Sequence, residues 1–199
     1  MKFLKYLFFF VLGVTLIFFL FGLLNPSIEY GHEITVSKSV EEAWAVSQDE
    51  SKFNQWLEGF KSIELLSGEL GEVGSTYKVV VNPGEGQPDF EMTETIISVK
   101  EYDHIEMHYD NEMMDFEQTI SFSESEEGVK IKTDSKVYGK GLMLRSMFAL
   151  MEMSSGSFQT QEAKNIDALK KVIEENTTDY YPVKIEPELE VVEAEEVSE

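Results

Sequence analysis

From residue 91 to residue 137 the chain alternates apolar and polar side chains, and that period of two leaves little choice of fold. Ile105, Met107 and Tyr109 share one face, opposite His104, Glu106 and His108. Met114, Phe116, Gln118, Ile120 and Phe122 oppose Asp115, Glu117, Thr119 and Ser121. Val129, Ile131, Thr133, Ser135 and Val137 oppose Lys130, Lys132, Asp134 and Lys136. Strands over 91–100, 104–109, 114–122 and 129–137, joined by hairpin-length connections, make an antiparallel sheet with one wet face and one covered face. Further strands are expected at 33–37, 62–66 and 76–81, the last rich in β-branched residues.

The cover follows at 142–176, which reads as one long helix with a hinge at Ser154-Ser155-Gly156-Ser157. Ile166, Leu169 and Ile173 fall on one face at spacings of three and four. The first half carries a stripe of Met143, Met147, Leu150 and Met151, with Phe148 beside it. Short helices are expected at 40–46, capped by Ser37 or Ser39, and at 49–57, with Phe53, Trp56 and Leu57 on one side. The result is an α+β domain over residues 27–176: a curved sheet wrapped around a long C-terminal helix.

Residues 1–26 form a separate unit. The run 6–24 has no charge, and 19 residues of helix rise about 28 Å, close to the thickness of a bilayer hydrocarbon core. Lys2 and Lys5 precede it, and Glu29 and Glu33 are the first charges after it. The positive-inside rule then gives a single-pass anchor with a cytoplasmic N-terminus. The domain lies on the extracytoplasmic side, facing the periplasm from a bacterial inner membrane. A cleaved signal peptide has a shorter apolar region ending in small residues, whereas Phe19, Leu20, Phe21, Leu23 and Leu24 are bulky. Residues 177–199, broken by Pro182 and Pro187 and rich in glutamate, read as a disordered acidic tail open to a basic protein partner. The formal charge of −22 excludes nucleic acid as a partner. With no cysteine there is no disulfide framework and no thiolate metal site.

Four segments carry a family resemblance. They are Val36-Ser-Lys-Ser-Val-Glu-Glu-Ala-Trp44, Phe53-Asn-Gln-Trp56, Ser62-Ile-Glu-Leu-Leu66 and Gly71-Glu-Val-Gly-Ser-Thr-Tyr77. With the ending from Gly139-Lys-Gly-Leu-Met143 to Ile166-Asp-Ala-Leu-Lys-Lys171, they resemble the START-like, or SRPBCC, superfamily, which includes proteins of the polyketide cyclase/dehydrase and lipid transport type. The resemblance implies the helix-grip fold, with a cavity between sheet and C-terminal helix. Tyr77, Met107, Tyr109, Phe116, Met143, Met147 and Met151 are expected to line that cavity. Gln118, Thr133 and Ser135 add inward polar groups, for which an uncharged ligand or water is the expected partner.

No set of residues names a reaction. His104 and His108 are about 13 Å apart on a strand, too far to share a metal. The carboxylate pairs Glu91 and Glu94, Asp115 and Glu117, and Glu126 and Glu127 read as solvent-side charges. No cofactor is expected. The sole arginine, Arg145, is expected to pair with a carboxylate at the cavity rim. The leading expectation is therefore a membrane-anchored module that binds a lipid or other hydrophobic small molecule. A cyclase- or dehydratase-like enzyme needs an inward acid or base, and an interaction module needs a filled core.

Overall fold

The computed structural model describes residues 2–82, 84 and 86–181; most of the acidic tail, from residue 182, lies outside them. Helix α1 (Lys2–Leu24) leads into two short strands, β1 (Ile28–Tyr30) and β2 (Glu33–Val36). Helix α2 (Val40–Gln48) begins at Ser39, whose hydroxyl accepts from the Glu42 amide at 3.2 Å. A 3-10 turn at Glu50–Lys52 precedes the single-turn α3 (Phe53–Trp56), so the second expected helix is shorter than its sequence pattern. Strands β3 (Phe60–Ser67), β4 (Thr76–Val81), β5 (Phe90–Lys100), β6 (His104–Asp110), β7 (Met114–Ser125) and β8 (Gly128–Gly139) follow.

The strands form one antiparallel sheet of eight, in the order β1-β8-β7-β6-β5-β4-β3, with β2 also on β8. β1 was not expected. It pairs Ile28–Tyr30 with the segment 135–137 of β8, while β2 pairs with 129–132, so two short strands share one long neighbour. The join between them is Gly31-His32. Any Cβ on Gly31 would collide with the Thr133 carbonyl, which explains the glycine there.

The expected long helix is two helices, α4 (Leu142–Ser155) and α5 (Ser157–Glu174). Gly156 between them is left-handed, at φ 57° and ψ 40°, a conformation that ends a helix. The Glu152 carboxylate accepts from the Phe158 amide at 2.8 Å and so caps the start of α5. α5 is the helix the sheet grips. Its Ile166, Leu169 and Ile173 are almost fully buried against Val36, Trp44, Ile120, Phe122 and Ile131. Trp44 meets Phe122 edge-on at 5.2 Å. α4 packs on a smaller cluster, Ile28, Val137 and Phe148, bordered by Tyr30, Phe116, Leu144 and Phe158. It also crosses the last turns of α1. There a Cβ on Gly22 would lie 2.7 Å from the Ser146 amide nitrogen and 2.9 Å from the Leu142 carbonyl. Only a glycine allows that approach.

Candidate functional site

The two apolar clusters are separated by a belt of polar side chains inside the fold. Gln118 on β7 and Ser135 on β8 are cross-strand partners, one residue row from Thr133. Above them α5 brings down Glu162. Gln118 donates to Glu162 Oε1 at 3.0 Å, and the Ser135 hydroxyl donates to the same oxygen at 3.2 Å. The structure thus gathers the three neutral polar residues expected to point inward: Gln118 and Ser135 meet a carboxylate of the protein, and the Thr133 hydroxyl donates to the His32 carbonyl at 3.3 Å. Glu162 occupies the position on the apolar stripe of α5 that precedes Ile166, Leu169 and Ile173 at the same spacing. Burial raises its carboxyl above the usual carboxylate range, and the hydroxyls of Thr133 and Ser135, the Gln118 amide and His32 oppose that rise. Thr133 accepts from the His32 amide at 3.0 Å, while the His32 ring meets Asp167 at 3.0 Å, so His32 ties the join between β1 and β2 to β8 and α5.

A second inward carboxylate was read from sequence as a solvent-side charge, and the structure corrects this. Glu94 on β5 is 8% exposed, in the same inward row as Met92 and Ile96, while Glu91 faces out and pairs with Lys78 at 2.9 Å. Its cross-strand partners are Tyr77 on β4 and Tyr109 on β6. Burial pushes its carboxyl up to about 7, against a smaller opposing contribution from the Tyr109 hydroxyl. That hydroxyl donates to the Met107 sulfur at 3.3 Å, a weak acceptor. The Tyr77 hydroxyl is committed elsewhere, accepting from the Gly71 amide at 2.8 Å.

From Glu94 an aromatic ladder runs toward α4. Tyr109 stacks on Phe116 at 5.2 Å, and Phe116 on Tyr30 at 6.3 Å. Tyr30 meets Phe158 at 5.7 Å, and Phe158 meets Phe148 of α4 at 5.4 Å. Tyr30, Tyr109, Phe116 and Phe158 are only half-buried, although they point into the fold. At the other end of the sheet Ile120, Phe122 and Ile131 are closed off almost completely. Burial raises the Tyr30 and Tyr109 hydroxyls well above the usual phenol range, with Glu162 adding to both and Glu94 acting on Tyr109.

Of the ten residues expected to line a cavity, Tyr77, Met107, Tyr109, Phe116, Gln118, Thr133 and Ser135 do face the interior. The three methionines do not join them. Met143, Met147 and Met151 are 70%, 39% and 41% exposed, because Leu144 and Phe148 form the face of α4 that meets the sheet. Arg145 donates to the Gly139 carbonyl at 3.1 Å, and among the described residues no carboxylate pairs with it. Two grooves of about 330 and 410 Å³ lie on the seam between α3 and α5, and neither includes any of these ten residues. Among the described residues no group of three histidines or carboxylates is close enough to hold a metal.

Sequence comparison gives a match to the family described as "Polyketide cyclase / dehydrase and lipid transport" over residues 27–174. No curated protein matches the chain. Among solved structures, protein CV1439 from Chromobacterium violaceum is similar at a TM-score of 0.56 and 14% identity, covering 76% of this chain and 99% of that one. Ara h 8.0201 is similar at 0.54 and 17% identity, covering 75% and 99%. The di-domain ARO/CYC StfQ of the steffimycin biosynthetic pathway is similar at 0.58 and 10% identity, covering 76% of this chain and 52% of that protein. At these identities the likeness is one of fold.

Proposed function

The chain belongs to the polyketide cyclase/dehydrase and lipid transport family, and from that premise we propose that it is a membrane-tethered carrier of a lipid or similar hydrophobic small molecule. The observation that carries this reading is the half-buried aromatic ladder from Tyr109 to Phe148, which ends at the Glu94 carboxyl. In this reading the surface that these inward-pointing side chains keep opens on a ligand space. Its wall is aromatic, with polar groups at Glu94 and along the Gln118, Ser135 and Glu162 belt, the pattern of a site for an apolar body with a polar head. With a carboxyl near 7, Glu94 is half-protonated at neutral pH and donates a hydrogen bond to a neutral head group when protonated.

In this reading residues 27–176 form the binding domain and α1, long and apolar enough to cross a membrane, is its anchor. Lys2 and Lys5 hold the N-terminus in the cytoplasm, and the domain works outside it. The expected tail does not begin at 177: Tyr180 packs against the core and donates to Asp49 at 2.7 Å, so only the glutamate-rich sequence from 182 is left to offer acidic contacts to a basic partner. An active cytoplasmic reporter fused after Glu199 refutes the sidedness.

Native mass spectrometry of the full chain, stripped of loosely held lipid, tests the binding. The expected result is a discrete hydrophobic molecule retained at one per chain by the wild type and lost from Phe116→Ala. A chain that retains nothing, and binds neither fatty acids nor phospholipids, refutes the carrier. A second, enzymatic reading is favoured by Glu94 itself, because a buried carboxyl near 7 beside a tyrosine suits general acid–base work. The two readings differ in outcome. A carrier releases its ligand unchanged, whereas an enzyme converts it and Glu94→Gln does not.

A further inference from the structure

We propose that α4 lies in the membrane interface, with Met143, Met147 and Met151 set against the lipid. This rests on the reading of α1 as a transmembrane anchor.

The first support is depth. α1 ends at Leu24, and α4 crosses it at Gly22, where Ser146 and Leu142 come into direct contact. One turn deeper, Phe18 is partly covered, while most of α1 is bare. At 1.5 Å of rise per residue, Gly22 and Phe18 lie about 3 and 9 Å inside the apolar end of α1. Interfacial helices sit roughly 5–10 Å into the headgroup and acyl boundary. A helix fastened to α1 at that level shares the bilayer with it.

The second is the surface of α4. Met143, Met147 and Met151 recur every fourth residue, remain 39% or more exposed and touch neither core cluster. Met153 is 64% exposed, and Met113 on the neighbouring β6–β7 hairpin is 41% exposed. Met143, Met147 and Met151, stacked on successive turns of one helix, form an exposed apolar stripe of the kind that marks an interaction surface. Methionine is suited to it, being flexible and able to pack against disordered chains.

The third is charge. The whole chain carries −22, yet α4 has one acidic residue, Glu152, and its carboxylate is held by the start of α5. Arg145 is exposed at the N-terminal end of α4, while Lys140, two residues before the helix, is held by Asp110 and Asp115. A cation beside an apolar stripe reaches the phosphate level while the stripe enters the acyl layer. Phe148, the last rung of the aromatic ladder, lies on the flank of α4 next to the stripe, about 100° around the helix from Met147. A membrane-seated α4 therefore brings the bilayer alongside the end of the ladder.

The chain has no native cysteine, so single cysteines report on single positions. Met147→Cys, Leu16→Cys and Ser123→Cys are each labelled with a small fluorophore in the full chain and reconstituted in phosphatidylcholine vesicles containing nitroxide-labelled lipid. Leu16 lies in the middle of α1, and Ser123 is exposed near the far end of β7. The expected result is strong quenching at 147, comparable with that at 16 and several-fold above that at 123. Quenching at 16 without quenching at 147 overturns the proposal while leaving the anchor intact. In that case a water-like spectrum at 147 means an open surface, and a shifted spectrum gives the stripe to a second copy or another protein. Absence of quenching at 16 refutes the anchor itself. Met143→Cys repeats the measurement should the label at 147 disturb packing.

Discussion

Glu94 makes the stability of the folded domain depend on pH in the direction opposite to that of an ordinary surface carboxylate. Its carboxyl rises from an ordinary 4.5 to about 7, chiefly through burial. Between those values the folded state keeps a proton that the unfolded chain releases, so the Glu94 contribution to stability is full below pH 4.5 and is lost as pH rises through 7. A rise of about 2.5 pKa units corresponds to roughly 3 kcal/mol of lost stability by pH 8. Glu94→Gln keeps the shape and removes the ionisation, so it is expected to recover that roughly 3 kcal/mol at pH 8 and little at pH 4.5. Glu162 is also raised and contributes with the same sign, but it is present in both proteins and cancels in the difference. Glu42, Asp49, Asp103 and Asp110 are lowered by their partners, so their stabilisation is lost only as pH falls through the acid range, a separate window.

The assay is thermal unfolding of the full chain in nanodiscs, followed by tryptophan fluorescence. Both tryptophans, Trp44 and Trp56, are buried in the domain and none lies in α1, so the signal reports the domain alone. At roughly 2–4 °C per kcal/mol for a domain of this size, the variant is expected to melt about 6–12 °C above the wild type at pH 8. The two curves converge as pH approaches 4.5. Midpoints that stay parallel across this range, or a variant less stable at pH 8, would refute the burial of a titrating Glu94.

Glu162→Leu strands Gln118 and Ser135 without their acceptor and is expected to cost about 1–3 kcal/mol per orphaned group, while Glu162→Gln costs less; chemical unfolding ranks the two. Gly22→Val forces α1 and α4 apart and is expected to lower the domain midpoint in nanodiscs by about 1–3 kcal/mol; an unchanged midpoint argues against the crossing. Leu169→Ala, at a fully buried position under the sheet, is expected to cost about 2–5 kcal/mol in the same assay. Glu152→Ala removes the cap on α5 and is expected to cost about 1 kcal/mol, with faster amide exchange at Phe158.

Period and spacing in the sequence determined a great deal. The alternation from residue 91 to residue 137 settled which residues of β6, β7 and β8 face inward, because a pleated strand cannot turn its side chains any other way. The spacing of Ile166, Leu169 and Ile173 likewise determined which face of α5 is gripped. Both buried carboxylates were legible by the same periods: Glu94 falls between Met92 and Ile96, and Glu162 precedes Ile166 by four residues. Burial does not follow from the period alone, because a carboxylate in a charge-rich chain is ordinarily solvated, and the cost of burying one is offset only by neighbours that the sequence does not place beside it. Those neighbours belong to the tertiary structure. Gln118 and Ser135 come from separate strands and Glu162 from a helix 27 residues beyond Ser135. The methionines of α4 mark the other limit. Their stripe identifies an apolar face but not what it faces. Phe148 and Leu144 took the side toward the sheet, and the close crossing at Gly22 carried α4 to α1, leaving the methionines outside. Periodicity is a property of one element, whereas the partner of a face depends on how separate elements meet.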